Sequence, residues 1–187
     1  MKTLEISMQQ FLYGSSLNLR PLRASDWEDL YRCASDPEVW MLHPEKNRFE
    51  KERFLTYFHK ALESQSAFAI IEKTTGKAIG SSRYYDLNPG EKRVCIGYTF
   101  LSRRHWGGGS NRELKYLMLK HAFQYVDNVR FEIGVDNIRS RRAIEKIGAH
   151  LEKKSPSDQA PFSLILDGTT HVIYSMNISQ FKEAFGD

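Results

Sequence analysis

Alternating and clustered apolar positions divide the chain into strands and helices. Alternation over residues 17–22 predicts a first strand, and residues 49–64 place apolar side chains on one helical face. Three short apolar runs follow, at 67–72, 78–85 and 93–101, separated by turn residues. Strands joined by such short connections usually pair antiparallel, so we expect a meander in the middle of the chain.

The second half of the chain has a strand–helix–strand order instead. Residues 114–125 carry apolar side chains at helical spacing, and His121 lies among them as an expected core residue. Residues 129–135 predict the next strand, and 137–147 predict a short helix that Gly148 ends. This order predicts a parallel crossover, because parallel strands need a long connection between them. A final hairpin is expected from 162–166 to 171–176, turning at Asp167 and Gly168.

Together these elements predict one α/β (α+β) domain. We expect a mixed, mostly antiparallel central sheet of about seven strands, with about four helices on both faces. Residues 1–16 are expected to form an N-terminal arm, and 17–187 the domain. Ser25 is expected to cap the first helix, with Glu28 completing a capping box.

Composition narrows the class of protein. The chain has 187 residues, 41% hydrophobic and 27% charged, which is typical of one folded domain. Its two cysteines, Cys33 and Cys95, form no CxxC motif, and the N-terminus has no signal-peptide pattern, so we expect reduced thiols in the cytoplasm. No apolar run is long enough for a membrane span. The six histidines show no metal-ligand spacing, so no metal is expected.

The most informative segment lies between the third meander strand and the long helix. Three successive glycines let the backbone approach a ligand closely, and the helix N-terminus offers free N–H groups and a positive dipole end. Such a loop binds anions, most naturally phosphate, although a flexible glycine-rich turn is the alternative. Neither a P-loop nor a dinucleotide-binding pattern is present. The loop comprises Trp106, Gly107, Gly108, Gly109, Ser110 and Asn111.

A second motif follows the next strand, and the pair resembles the Gcn5-related N-acetyltransferase (GNAT) superfamily. Within it, the chain is similar to the branch of the ribosomal-protein N-terminal acetyltransferases RimJ and RimL. That branch favours Trp-Gly-x-Gly, matched by Trp106, Gly107 and Gly109. It also favours Asn-x-Arg-Ser-x-Arg and Glu-Lys-x-Gly, matched by Asn137, Arg139, Ser140, Arg142, Glu145, Lys146 and Gly148. Two positions depart from the pattern: Asn111 replaces a small residue, and Cys95 stands where the branch often has Glu.

The resemblance implies that acetyl-CoA is the co-substrate and that an acetyl group passes to a primary amine by direct attack in a ternary complex. The implied co-substrate contacts lie on the strand end, the glycine loop and the second motif. They are Thr99, Phe100, Leu101, Arg104, Trp106, Gly107, Gly108, Gly109, Ser110, Asn111, Asn137, Arg139, Ser140 and Arg142.

The catalytic roles stay more open. Ser140 is the candidate for protonating the departing thiolate, and Glu132 is the candidate general base, with Glu91 and Asp86 as other carboxylates. The acceptor is expected to be a protein N-terminus or a small-molecule amine. Its candidate contacts are Trp40, His43 and Tyr85.

Two other classes of protein remain as alternatives. The first is a non-catalytic module that binds acyl-CoA without turnover. The second is an RNA-binding protein that uses the arginines near the two motifs, which is disfavoured because aromatic interleaving and a recognised RNA-binding module are absent. We expect a monomer or homodimer.

Overall fold

One mixed sheet of nine strands runs through the part of the chain that the computed structural model describes, residues 10–153, 161–166 and 168–186. The strands are β1 (Leu12–Tyr13), β2 (Leu17–Pro21), β3 (Ala67–Glu72), β4 (Ala78–Asn88), β5 (Arg93–Leu101), β6 (Asn128–Gly134), β7 (His150–Leu151), β8 (Ser163–Leu166) and β9 (Thr169–Asn177). They lie in the order β1-β2-β3-β4-β5-β6-β9-β7, and β8 also pairs with β9.

The pairing of the strands confirms the predicted topology. Neighbours pair antiparallel except β5 and β6, which are parallel. The central meander β3–β4–β5 is present, and the long helix α3 (Ser110–Ala122) makes the crossover to β6. The sequence analysis did not anticipate β1 or β7, which have two residues each. Asp167, in the turn of the last hairpin, lies outside the described residues.

Helices cover both faces of the sheet, as expected. The helices α1 (Trp27–Ala34) and α2 (Lys51–Glu63) supply Leu30 and Phe54 to one apolar cluster, which also takes Phe100. On the other face, α3, α4 (Ile138–Glu145) and α5 (Ile178–Phe185) pack in a second cluster. His121 is buried there, as predicted. Helix α5 was not predicted. No helix among the described residues combines the length and apolar character needed to cross a membrane.

The predicted cap of α1 is wrong. A short 3-10 turn, Ala24–Asp26, precedes the helix, and Asp26 rather than Ser25 organises it. The Asp26 carboxylate accepts a hydrogen bond from the Arg23 backbone N–H at 2.8 Å. It also accepts one from Arg20 at 2.8 Å. Charge-assisted pairs of this kind are stronger than a hydroxyl cap, so they determine where the helix starts.

The chain before β2 is attached to the start of α3. The Glu113 carboxylate accepts hydrogen bonds from Ser15 Oγ at 3.0 Å, Ser16 N at 2.8 Å and Leu17 N at 3.2 Å, and also from the Ser16 hydroxyl. Partial burial alone would raise the pKa of Glu113, but these hydrogen bonds lower it below its ordinary value. Residues 1–9 of the predicted arm lie outside the described residues, whereas β1 and the serines join the sheet to the helix that follows the glycine loop.

Candidate active site

The parallel strands β5 and β6 separate soon after they meet. Their pairing covers only residues 93–95 of β5 and 128–130 of β6, although β5 continues to Leu101 and β6 to Gly134. Beyond these residues β5 and β6 no longer pair with each other, although each still pairs with its other neighbour, so the two strands border a gap in the centre of the sheet. The predicted contacts Thr99, Phe100 and Leu101 all lie on the β5 side of this gap.

A β-bulge shapes the β5 side of the gap. Gly97 pairs with Arg83, but Phe100 pairs with Ser81, so β5 has one residue more than β4 between these pairs. Tyr98 has a φ of +52°, which is uncommon for a residue with a side chain. Its carbonyl accepts a hydrogen bond of 2.7 Å from the Tyr57 hydroxyl on α2. The bulge therefore redirects the β5 backbone where the gap opens.

The glycine loop lies beyond the end of β5 and leads into α3. Gly107 and Gly109 have φ angles of +75° and +89°, a left-handed conformation that glycine adopts without steric cost. Gly109 is the N-cap residue of the helix, and Asn111 lies in its first turn. A Cβ added at Gly107, Gly108 or Gly109 would meet no atom within 4 Å, so the space in front of the loop is open. Left-handed glycines in front of a helix N-terminus are a backbone arrangement that can bind a phosphate group.

Trp106 and Arg139 hold the loop against the rest of the domain. The Trp106 indole N–H donates to the Leu101 carbonyl at 3.0 Å, and the Arg139 guanidinium lies 4.0 Å from the centre of the indole ring. Arg139 also donates to the carbonyl of Val39 at 2.8 Å and that of Glu38 at 3.3 Å. These contacts connect α4 and the turn after α1 to the loop. Arg139, a predicted co-substrate contact, therefore already donates hydrogen bonds to carbonyl groups of the protein.

The other predicted co-substrate residues flank this arrangement. Arg104 is exposed and lies 3.8 Å from Glu72, which also pairs with His105 at 2.9 Å. Arg142 is exposed on α4. Ser140 is half-buried at the start of α4, where its backbone N–H donates to Asn137 Oδ1 at 3.2 Å. Asn137 therefore caps the helix that carries the second motif.

Two candidates that the sequence analysis assigned to different roles touch each other. The Tyr85 hydroxyl donates a 3.0 Å hydrogen bond to Glu132 Oε2. Glu132 lies two residues beyond Arg130, the last residue of β6 that pairs with β5, so its carboxylate is at the start of the gap. The neighbouring Phe131 belongs to the cluster on the α3 face, so alternation places Glu132 on the opposite face.

Charge and burial determine what these groups can do. Burial raises the pKa of Tyr85, and the nearby Glu132 carboxylate raises it further, so the phenol stays protonated and donates to Glu132. Burial also raises the pKa of the Cys95 thiol to about 12, again with a contribution from Glu132. Cys95 is therefore a protonated thiol at neutral pH and not a nucleophile.

Asp86, Cys95 and Glu132 form the one group of metal-ligand type found among the described residues. Their ligand atoms lie within 4.8 Å of one another. The Arg93 guanidinium donates to Asp86 at 2.8 Å and lies 3.4 Å from Cys95 Sγ. This buried arginine already supplies positive charge to the cluster.

The predicted acceptor residues Trp40 and His43 have mainly packing contacts. Trp40 is 3% exposed, and its indole N–H donates to the Ala34 carbonyl at 2.7 Å. Burial and the nearby Arg48 lower the pKa of His43 to about 3, so this imidazole is neutral at pH 7. The next residue, Pro44, lies against Gly134 at the end of β6, where an added Cβ would be 3.0 Å from it. This loop therefore closes the far end of β6.

Lys115, a buried lysine near the gap, was not among the predicted site residues. It lies on α3, is 3% exposed, and donates to Thr99 Oγ1 at 2.8 Å. The helical spacing contained a signal, because Lys115 is three and four residues before Met118 and Leu119, which are both fully buried.

A separated pair of parallel strands beside a glycine loop and a helix N-terminus defines a class of protein that holds an extended, phosphate-bearing ligand across the sheet. Comparison with known sequences and structures identifies the family. The sequence model of the acetyltransferase (GNAT) domain matches residues 16–150, and the chain therefore belongs to the GNAT acetyltransferases, which are acetyl-CoA-dependent acyltransferases. No curated protein matches the sequence.

Solved structures share the fold at low sequence identity. A GCN5-related N-acetyltransferase from Brucella melitensis is 21% identical, with a TM-score of 0.79 over 94% of this chain and 82% of that one. A GNAT-family acetyltransferase from Bacillus anthracis is 21% identical, with a TM-score of 0.70 over 90% and 98%. Mycobacterium smegmatis RimJ, in complex with CoA-disulfide, is 16% identical, with a TM-score of 0.67 over 91% and 87%.

Proposed function

We propose that the protein transfers an acetyl group from acetyl-CoA to a primary amine, which is a protein N-terminus or a small-molecule amine. The observation that carries this proposal is the gap between β5 and β6. One end of the gap leads to the open glycine loop, and the other end has the Tyr85–Glu132 pair. A thioester held between these ends would meet an acceptor amine beside a carboxylate.

The residues around the gap suggest how the co-substrate is held. The loop from Gly107 to Gly109 and the N-terminus of α3 would bind the pyrophosphate. The unpaired edge of β5 at residues 99–101 would offer backbone groups to the pantetheine amides, in place of the bonds that β6 no longer makes. Ser110, Asn111 and the start of α4 would flank the same path. Holding both reactants in this way supplies several kcal/mol of the rate enhancement.

We propose Glu132 as the general base that removes a proton from the attacking amine. Its carboxylate lies on the sheet face opposite α3. We propose that the acceptor amine enters the gap from this same face. The Tyr85 hydroxyl orients the carboxylate at 3.0 Å. Positioned general bases contribute roughly 10²–10⁴-fold to a rate. Asp86 is a weaker candidate because Arg93 forms an ion pair with it.

The experiment is an acceptor screen with the purified chain and acetyl-CoA, measuring free thiol release with a panel of amines and of peptides with free N-termini. With the best acceptor, Glu132→Gln is expected to lower kcat by about 10²-fold or more, while Glu63→Gln, an exposed change at the end of α2, leaves it unchanged. A fully active Glu132→Gln variant would contradict the assignment of the base. CoA binding without turnover on any amine would instead favour the non-catalytic alternative.

We also propose the cytoplasm as its compartment, which the two free cysteines support. Nucleic acid is not needed to account for the arginines near the two motifs. Arg103 lies 3.3 Å from Asp36, and Arg141 donates to the Val135 carbonyl at 3.0 Å, so both have partners within the protein.

A further inference from the structure

Lys115 is a buried lysine. Among the described residues, its amine forms a hydrogen bond to a single hydroxyl group. Its Nζ donates to Thr99 Oγ1 at 2.8 Å, and Thr99 Oγ1 lies 2.7 Å from Ser82 Oγ. The Phe131 ring centre is 5.7 Å away. No carboxylate of the described residues forms an ion pair with it, and burial alone lowers its pKa from 10.5 to about 7. Placing an amine here is costly for folding, which suggests a functional reason.

The position of the amine relative to the gap is informative. Thr99 is on the unpaired half of β5, and Phe131 is the first residue of β6 beyond its pairing with β5. The Lys115 Nζ bonds to Thr99 and lies 5.7 Å from the centre of the Phe131 ring, so it is buried on the α3 face of the sheet, close to where the strands separate. It approaches from the α3 face, whereas Glu132, next to Phe131 in sequence, lies on the opposite face. A basic and an acidic group thus border the same part of the gap from opposite sides.

We propose that Lys115 donates the proton that the CoA sulfur receives when the thioester is cleaved, an inference that rests on the proposed function. The acceptor nitrogen forms a bond to the acetyl carbon, and the carbon–sulfur bond breaks with its electron pair going to sulfur. The Lys115 ammonium transfers one proton to that sulfur and becomes a neutral amine. The acceptor nitrogen loses one proton to Glu132. After the products leave, Glu132 releases this proton to solvent and Lys115 takes one up through the vacated gap, so the cycle balances.

The chemistry of the two groups is well matched. With a pKa of about 7, Lys115 is protonated in a large fraction of molecules at neutral pH. A thiol has a pKa of about 8.5, so transfer from this ammonium to a thiolate is favourable. Thr99 Oγ1 accepts a hydrogen bond from the ammonium and holds it beside the part of β5 that no longer pairs with β6. The sequence-based candidate Ser140 has an alcohol, which is a much weaker acid than the thiol it would have to protonate.

The test compares the affinities of CoA and desulfo-CoA, which lacks the sulfur, by titration calorimetry. The wild type is expected to prefer CoA by about tenfold, the effect of a hydrogen bond to a charged group. Lys115→Met should reduce this preference to less than about twofold and lower kcat by about 10²-fold. Lys120→Met, which changes an exposed lysine on the same helix, should keep the preference. Equal weakening of both ligands by Lys115→Met would show a structural role and overturn the proposal.

Two comparisons separate this inference from the proposed function. If the wild type binds neither ligand, the proposed function is wrong and the inference falls with it. If it binds both equally, or if Ser140→Ala rather than Lys115→Met removes the preference, the inference alone is overturned.

A measurement on the wild type needs no variant. The NMR signals of the Lys115 side chain should shift with CoA but not with desulfo-CoA. Mass spectrometry after incubation with acetyl-CoA should find Lys115 unmodified. Acetylation of Lys115 would show that its amine acts as a nucleophile instead of a proton donor.

Discussion

Replacing Lys115 by methionine is expected to make the protein more stable, and the gain should depend on pH. Methionine keeps most of the aliphatic stem and avoids holding an amine in the apolar space between α3 and the two strands. Exchanging a buried charged group for a well-packed apolar one often stabilises a protein. The lost hydrogen bond to Thr99 offsets about 1–3 kcal/mol of this gain.

The magnitude follows from the lowered pKa of Lys115, about 7 in the folded protein against an ordinary value of 10.5. Between these two pH values the unfolded chain holds one proton more than the folded protein. Wild-type stability therefore rises with pH in this window, by about 1.4 kcal/mol per pH unit. The cost of the buried lysine is complete below pH 7, at about 5 kcal/mol, and vanishes above pH 10.5.

The assay is urea unfolding of the wild type and Lys115→Met at pH 6 and pH 9. The stability advantage of the variant should shrink by about 3 kcal/mol between these two conditions. Lys120→Met, in which the lysine is exposed, should show no such change. If the stability of the wild type and of Lys115→Met changed equally with pH, the prediction would be wrong, because Lys115 would then hold the same number of protons in the folded and unfolded states.

Two further predictions concern the start of α3. Gly109→Glu should weaken CoA binding by more than about 10²-fold, because it places a negative charge in front of the proposed phosphate site. Asparagine tolerates the left-handed conformation, so Gly109→Asn should bind CoA within about tenfold of the wild type. Equal affinities of the two variants in calorimetry would contradict the assignment of the loop. Glu113→Ala should lower the free energy of unfolding by about 1–3 kcal/mol through the lost hydrogen bonds to residues 15–17. Folding lowers the pKa of Glu113, so this stabilisation is present above pH 4.5, the ordinary pKa, and is lost as the pH falls through the pKa of the folded protein. If urea unfolding at pH 7 shows that the wild type and Glu113→Ala are equally stable, these hydrogen bonds do not contribute to stability.

Local patterns predicted the elements that surround the site. The bounds of β3 and β5 agree with the predicted 67–72 and 93–101, because turn residues bracket each apolar run. The helical spacing of α3, which follows the glycine loop, is equally local. The loop needs glycine at two left-handed positions, and that requirement is visible in the sequence itself.

Elements that depend on partners outside their own segment were missed or placed wrongly. The strands β1 and β7 have two residues each and exist because β2 and β9 offer edges to pair with. The start of α1 is determined by the ion pair between Asp26 and Arg20 instead of by the hydroxyl of Ser25. Neither the edge pairing of β1 and β7 nor the ion pair at α1 produces a periodic pattern of apolar residues in the sequence.

The order of the elements, the glycine loop and the types of residue available for chemistry therefore follow from the local amino-acid pattern. Which of these residues meet depends on the packing of the folded domain. Tyr85 lies on β4 and Glu132 on β6, on the two sides of β5. They form a hydrogen bond because both side chains lie on the same face of the sheet. Lys115 on α3 lies beside Thr99 and Phe131, near the point where the two parallel strands stop pairing after three residues. Alternation assigns side chains to faces, but strand order and the point where pairing ends come from packing across the whole sheet.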